Sequence, residues 1–163
     1  PDGSDIPDRV RASCLVYDDQ GHEVARYDKI HLFDAMVDDA HGQYRESDSF
    51  EPGQQVVTVD TPAGRLGLAI CYDLRFPELF RALREQGADW VCLPSAFTWQ
   101  TGDAHWHALI RARAIENQAY VVGVNRVGAD PKLSYSGDSV IVDPSGAALA
   151  APFVLRRGGA AGL

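Results

Sequence analysis

The chain has 163 residues, 45% of them apolar, and a formal net charge of -8 with a pI near 4.9, values that predict one folded domain long enough to bury a core. The acidic balance excludes nucleic acid as the main partner, since a phosphate backbone needs clustered Lys and Arg. No apolar run approaches the ~20 residues that cross a bilayer, so no membrane partner is expected.

In chain order, residues 10–17 and 23–29 alternate apolar and polar around the turn Asp18-Asp19-Gln20-Gly21, which predicts a hairpin. Residues 35–52 are polar and carry Gly42 and Pro52-Gly53; they are expected as a long loop. A second hairpin is predicted from residues 55–60 and 65–71 about the turn Thr61-Pro62-Ala63-Gly64. Its latter strand is almost continuously apolar and therefore central. Cys71 ends that strand. Phe76-Pro77-Glu78 then opens a helix with Leu79, Phe80 and Leu83 on one face and Gly87 as its stop.

A strand over 89–93 runs into Pro94-Ser95-Ala96. A helix follows over 105–117, with Ala108, Leu109, Ala112 and Ile115 expected inward. Strands at 119–125 and 139–143, the turn Asp143-Pro144-Ser145-Gly146 and a weaker strand at 147–151 complete the pattern, and residues 156–163 form a Gly- and Ala-rich tail. Hairpins mixed with strand–helix units predict an α/β layer structure, a mixed sheet covered by helices.

The three cysteines, Cys14, Cys71 and Cys92, lie far apart in sequence and cannot all pair, and neither they nor the histidines have zinc spacing; a reducing, cytoplasmic setting without a metal is expected. A Cys between a buried strand and a helix N-terminus sits where backbone amides and the helix dipole favour a thiolate. The Tyr72 amide would point at an oxygen on the attacked carbon, giving half an oxyanion hole. A small buried apolar Cys is the alternative. His105 and His107, two apart on a helix, point in different directions and form no metal pair.

Four words occur in order: YDKIHLF (27–33), YRESDSFEPG (44–53), GLAICYDLRFPELFRAL (67–83) and HWHALIRARAIENQAYV (105–121). Together, over about residues 10–151, they resemble the carbon–nitrogen hydrolase (nitrilase) superfamily and its amidase-like branches. The resemblance implies an αββα sandwich, no cofactor, a small-molecule amide substrate, homo-oligomers, and a Glu-Lys-Cys triad acting through a thioester. On matching positions, Cys71 is the nucleophile. Lys29 stabilises the oxyanion with the Tyr72 amide and lowers the thiol pKa, where the residue alone reads as a solvated strand-end charge. Glu46 orients the lysine, where alone it reads as a loop carboxylate.

Ser95, Ala96 and Phe97 would shape the acyl pocket, although Phe97 and Trp99 could simply pack the loop. Arg75 either grips a substrate carboxylate or pairs with Glu78 or Glu116. Arg111, Arg113 and Glu116 are expected to tie their helix to the sheet and to a partner subunit.

The YDK, RES and CYDLR words look most like the branch that hydrolyses deaminated glutathione; NQAYVVGVNRVG (117–128) and residues 135–139 look like ω-amidases acting on 2-oxoglutaramate. In the superfamily the triad glutamate precedes the YDK motif. No counterpart is read in this chain, which is therefore expected to be a single carbon–nitrogen hydrolase domain (1–163) lacking its first strands and helices. It would expose sheet edges and apolar faces and be weakly active, inactive, or a non-catalytic module.

Overall fold

A computed structural model of the chain describes residues 5–37, 42–129, 131 and 133–150; the tail at 156–163 lies outside them. Alternation pairs β1 (Ser13–Tyr17) with β2 (Glu23–Asp28) antiparallel. Asp18 closes their turn by accepting the N–H groups of Gln20 and His22, the usual way an Asp stabilises a tight turn. The stretch expected as a loop holds a short antiparallel pair, β3 (Asp34–Met36) with β4 (Gln43–Arg45), and a 3-10 turn at Glu46–Asp48. Strands of three residues are too short for alternation to be legible.

The remaining elements are β5 (Thr58–Thr61), β6 (Gly64–Leu68), α1 (Pro77–Glu85), β7 (Trp90–Ser95), α2 (Trp99–Asn117), β8 (Tyr120–Asn125), β9 (Val127–Ala129), β10 (Ser134–Ser136), β11 (Val140–Val142) and β12 (Ala148–Ala150). Six of them form one sheet in the order β12, β11, β8, β7, β6, β5. The central β6, β7 and β8 run parallel, with antiparallel strands outside them. Strand–helix–strand crossovers produce the parallel centre and hairpins add the edges.

Both helices cover one face. Register places Gly67, Val91 and Val121 side by side, and Leu93, Gly123 and Val140 two residues on; all six are buried. Pro77 occupies the first position of α1, where its missing N–H costs nothing, and Leu79, Phe80 and Leu83 are buried. Helix α2 approaches so closely that a Cβ on Gly123 would lie 2.4 Å from Ile110 Cδ1 and 2.8 Å from Trp106 Cζ2. Glycine there lets the helix sit directly on the sheet.

Helix α2 departs from expectation in two ways. It begins at Trp99 rather than His105, because Thr98 is extended (ψ 156) and its carbonyl already accepts the Gly102 N–H, completing a first turn six residues earlier. Its buried side is Trp106, Ile110, Arg113, Ala114 and Asn117, whereas Ala108 and Ile115 are exposed and Leu109 and Ala112 half-buried. The rotation follows from two polar residues that satisfy their hydrogen bonds while buried. Arg113 Nε donates to the Leu74 carbonyl at 3.0 Å, Arg113 Nη1 to Glu116 at 2.9 Å, and Asn117 Nδ2 to the Arg113 carbonyl at 2.9 Å.

On the opposite face, Cys14, Val16 and Ala25 of the first hairpin pack against the core, and Leu66 and Leu68 are buried. The helix layer and mixed sheet of the expected αββα form are thus present. Among the described residues, the layer on the second face consists of the β1–β2 hairpin. Beyond its reach, Tyr120, Val124 and Ile141 share that face and are exposed at 45%, 52% and 36%. A contiguous apolar patch of this kind promotes association. Replacing Val124 and Ile141 with threonine keeps the β-branch that suits a strand; the double variant is expected to stay monodisperse in light scattering at several-fold higher concentration than the unsubstituted chain.

Candidate active site

Strand β6 ends at Leu68, and Ala69 and Ile70 lead to a 3-10 turn over Cys71–Arg75 that hands the chain to α1. Cys71 therefore opens the turn instead of ending the strand, as the apolar run had suggested. Its φ is +48, in the left-handed region that costs a residue with a Cβ on the order of 1 kcal/mol or more and that concentrates at functional sites. The surrounding contacts hold it there. Asp73, fully buried, accepts the Ile70 N–H at 2.8 Å across the turn, and the Ala96 backbone lies near enough to Cys71 to lower its thiol pKa. Tyr72 is second in the turn, so its N–H has no acceptor within it, and among the described residues it makes no other backbone hydrogen bond.

Lys29 follows β2 directly. It is only 3% exposed, so the solvated-charge reading fails: Nζ donates to Glu46 Oε2 at 2.5 Å. The same oxygen accepts the Phe33 N–H at 2.5 Å. The lysine backbone is pinned as well, its N–H donating to the Ala12 carbonyl and its own carbonyl accepting the Gly53 N–H, each at 2.8 Å. A Cβ on Gly53 would meet the Asp28 carbonyl oxygen at 2.1 Å, so the Pro-Gly of the second motif is what lets that segment close over the first. A buried pair of this kind leaves a costly uncompensated charge if either partner is lost.

Lys29 is close enough to Cys71 to pull the thiol pKa down, and the Ala96 N–H acts the same way, but burial outweighs both, and Glu46 and Asp73 push further upward. The net direction is up. This direction is opposite to the lowering expected from the helix entrance and the lysine, because desolvation of the sulfur is the largest effect and the lysine is paired with Glu46. Burial also raises Cys14 and Cys92. All three are free; Cys14 and Cys92, far apart in sequence, are brought near enough for their charges to interact.

A cleft opens over Cys71 and Tyr72. Arg75, Ala96 and Phe97 line it with Phe33, Thr98 and Thr101. Ser95 does not; its hydroxyl turns back to the Leu93 carbonyl. Phe97 serves both expected ends, facing the cleft and packing on Trp106 at 5.1 Å between ring centroids, while Trp99 is 56% exposed. The Phe97 N–H is held by buried Asn125 Oδ1 at 2.9 Å, which fixes the wall facing Cys71.

Neither expected partner holds Arg75, since Glu116 is taken by Arg113. The Arg75 guanidinium instead lies over the Tyr72 and Phe97 rings at 5.9 and 5.7 Å and 3.3 Å from His105 Nδ1, with no ion pair among the described residues. His107 approaches Asp138, and no group of metal ligands occurs among the described residues. Arg111 ties α2 to the Gly146 carbonyl. Sequence reasoning missed Tyr27, His31 and Asp73, although all three stand inside two of the ordered motifs.

Among known families, the carbon-nitrogen hydrolase model matches residues 4–153. A deaminated glutathione amidase of Yersinia enterocolitica is 56% identical over 122 residues, 75% of this chain and 43% of that protein. The nitrilase and fragile histidine triad fusion protein NitFhit of Caenorhabditis elegans is 50% identical over 140 residues, 83% of this chain and 31% of that one. The NitFhit crystal structure superposes with a TM-score of 0.82 at 46% identity, covering 88% of this chain and 35% of the other. A mutant amidase from Nesterenkonia sp. AN1, with the acetamide moiety of fluoroacetamide added covalently at its active site cysteine, gives a TM-score of 0.77 at 29% identity over 89% of this chain and 52% of that one. The chain spans less than half the length of the Yersinia and Caenorhabditis relatives. The family match over nearly its whole length, on a fold that sets a cysteine into a strained turn beside a buried lysine–glutamate pair, places this chain in the carbon-nitrogen hydrolase family.

Proposed function

We propose that the chain carries the nucleophilic half of an amidase that hydrolyses a linear, carboxylate-bearing amide to an acid and ammonia, with deaminated glutathione as the substrate. The observation that carries this reading is a cleft lined by Cys71 in a strained turn and by Tyr72, with the Lys29–Glu46 pair near enough for its charges to act on the thiol. The names of the Yersinia enterocolitica and other relatives favour deaminated glutathione over 2-oxoglutaramate. The amidase is read as a cytoplasmic homo-oligomer; the free thiols bear on the compartment alone.

In this reading Cys71 Sγ attacks the amide carbon as its thiol proton passes to a general base. The new oxyanion is held by the Tyr72 N–H and the Lys29 ammonium. The carbon–nitrogen bond then breaks, the nitrogen takes the proton and leaves as ammonia, and a Cys71 thioester remains. Water attacks the thioester, gives its proton to the same base, and releases the acid and the thiol. A thiol with a raised pKa makes the base indispensable. Glu46 Oε2 is taken by Lys29 and Phe33 and Asp73 is enclosed, so neither of these carboxylates is read as that base.

Ammonia release by a longer protein containing this chain is expected to fall by on the order of a thousandfold or more with Cys71→Ser, and by about 100- to 1000-fold with Lys29→Ala, as for loss of an oxyanion donor. Full activity in the Cys71→Ser protein would sink the mechanism. Arg75 is read as the contact for the substrate carboxylate. Arg75→Met should raise KM for the carboxylate-bearing amide by about 10-fold or more, the worth of a charge-assisted hydrogen bond, while an uncharged amide of equal length keeps its KM. In the chain alone, iodoacetamide should label Cys71 faster than Cys14 or Cys92 at neutral pH. Because the thiol sits above its ordinary pKa, the rate should climb about tenfold per pH unit through neutrality without levelling. A plateau below pH 7, or equal labelling of all three cysteines, would contradict the assignment.

A further inference from the structure

Three segments of the site converge on one carboxylate that the proposed mechanism does not use. Asp73 is fully buried. Its Oδ2 accepts the Tyr27 hydroxyl at 2.7 Å and the Ile70 N–H at 2.8 Å, and its Oδ1 accepts the His31 N–H at 3.1 Å and His31 Nδ1 at 2.7 Å. Facing a carboxylate, Nδ1 carries the ring hydrogen. The His31 ring is also fixed on its face, stacked on Phe76 at 3.7 Å and 7°, and Phe76 directly follows the Cys71 turn.

The chain positions of these donors matter. Lys29 lies between Tyr27 and His31, and Cys71 lies between Ile70 and Asp73. One carboxylate therefore brackets both residues, clamping the lysine's segment and the cysteine's turn to a common point. We propose that Asp73 and His31 are positioning residues that set the distance and direction of Lys29 from Cys71, so that the lysine's charge reaches the sulfur and the oxygen forming beside it. Neither side chain touches substrate in this role. The inference rests on the reading of Lys29 and Cys71 as a working pair.

The sign of one effect separates positioning from simple electrostatics. The groups whose charges act on the thiol are Lys29, Glu46 and Asp73, and the Asp73 charge itself raises the thiol pKa. Removing that charge with nothing else changed would therefore speed alkylation of Cys71. Loss of the clamp draws Lys29 away and slows it.

The test is the pH profile of Cys71 alkylation by iodoacetamide in the 163-residue chain, with Cys14 and Cys92 as internal references. Lys29→Ala sets the full effect, and Asp73→Asn and His31→Phe are compared with it. His31→Phe retains a flat ring against Phe76 and the backbone N–H, and deletes both ring nitrogens, the Nδ1 donor to Asp73 among them. Both variants are expected to move the Cys71 profile up in pH toward that of Lys29→Ala, slowing labelling near neutrality about tenfold for each unit moved, while Cys14 and Cys92 label as slowly as before. If Asp73→Asn unfolds, exposing all three cysteines alike, His31→Phe decides. A His31→Phe profile that coincides with the unsubstituted chain or moves down overturns the inference, as does global unfolding of that variant, which would make the contact one of stability alone. An unchanged profile in Lys29→Ala overturns instead the reading of the lysine–cysteine pair on which the inference stands.

Discussion

The Asp73 carboxylate is wholly withdrawn from water, and four hydrogen-bond donors from three chain segments meet on its two oxygens. Burying a carboxylate without partners costs several kcal/mol, and an ionised group in a protein interior persists only when its lone pairs are filled. Three residues supply the four donors: Tyr27 at the end of β2, His31 in the loop beyond, with its N–H and its Nδ1, and Ile70 on the approach to the 3-10 turn. The carboxylate therefore enforces their mutual arrangement, since displacement of any one leaves a buried charge short of a donor. A left-handed Cys71 is tolerated because the turn containing it is closed from both sides.

The parallel centre of the sheet decides what else can gather there. β6, β7 and β8 run the same way, so the segments leaving their C-terminal ends emerge along one edge, the general position of sites in α/β sheets. Cys71 follows β6, Ala96 and Phe97 follow β7, and Asn125 ends β8. Asn125 holds the Phe97 N–H, and Ala96 in turn meets the Cys71 sulfur. Three strands thus support one thiol. The same layering leaves the second face open where the β1–β2 hairpin stops, and exposes apolar residues of β8 and β11 there.

Electrostatically the site balances two opposing tendencies. A buried lysine beside the thiol favours the thiolate, but the lysine is itself held by Glu46 in a buried pair, and withdrawal of the sulfur from water favours the neutral form more strongly. The balance lies toward the thiol form, whose proton must be removed as the bond to carbon forms.

Much of this was legible in one dimension, and the rest was not, for a definable reason. Local chemistry determined the strand–turn–helix unit around Cys71, the start of α1 at Pro77 and its buried face of Leu79, Phe80 and Leu83, since periodicity, proline and glycine act within a few residues. The four ordered motifs pointed to the family because their order and wording are specific. Tertiary structure alone decided that Lys29 is buried against a glutamate 17 residues away, that Asp73 serves Tyr27 at a separation of 46, and that α2 turns Arg113 and Asn117 inward in place of Ala108 and Ile115. It also decided that burial pushes the Cys71 thiol pKa up. Those outcomes depend on which groups lose water and which partners arrive from distant segments, quantities that no local pattern of side chains encodes.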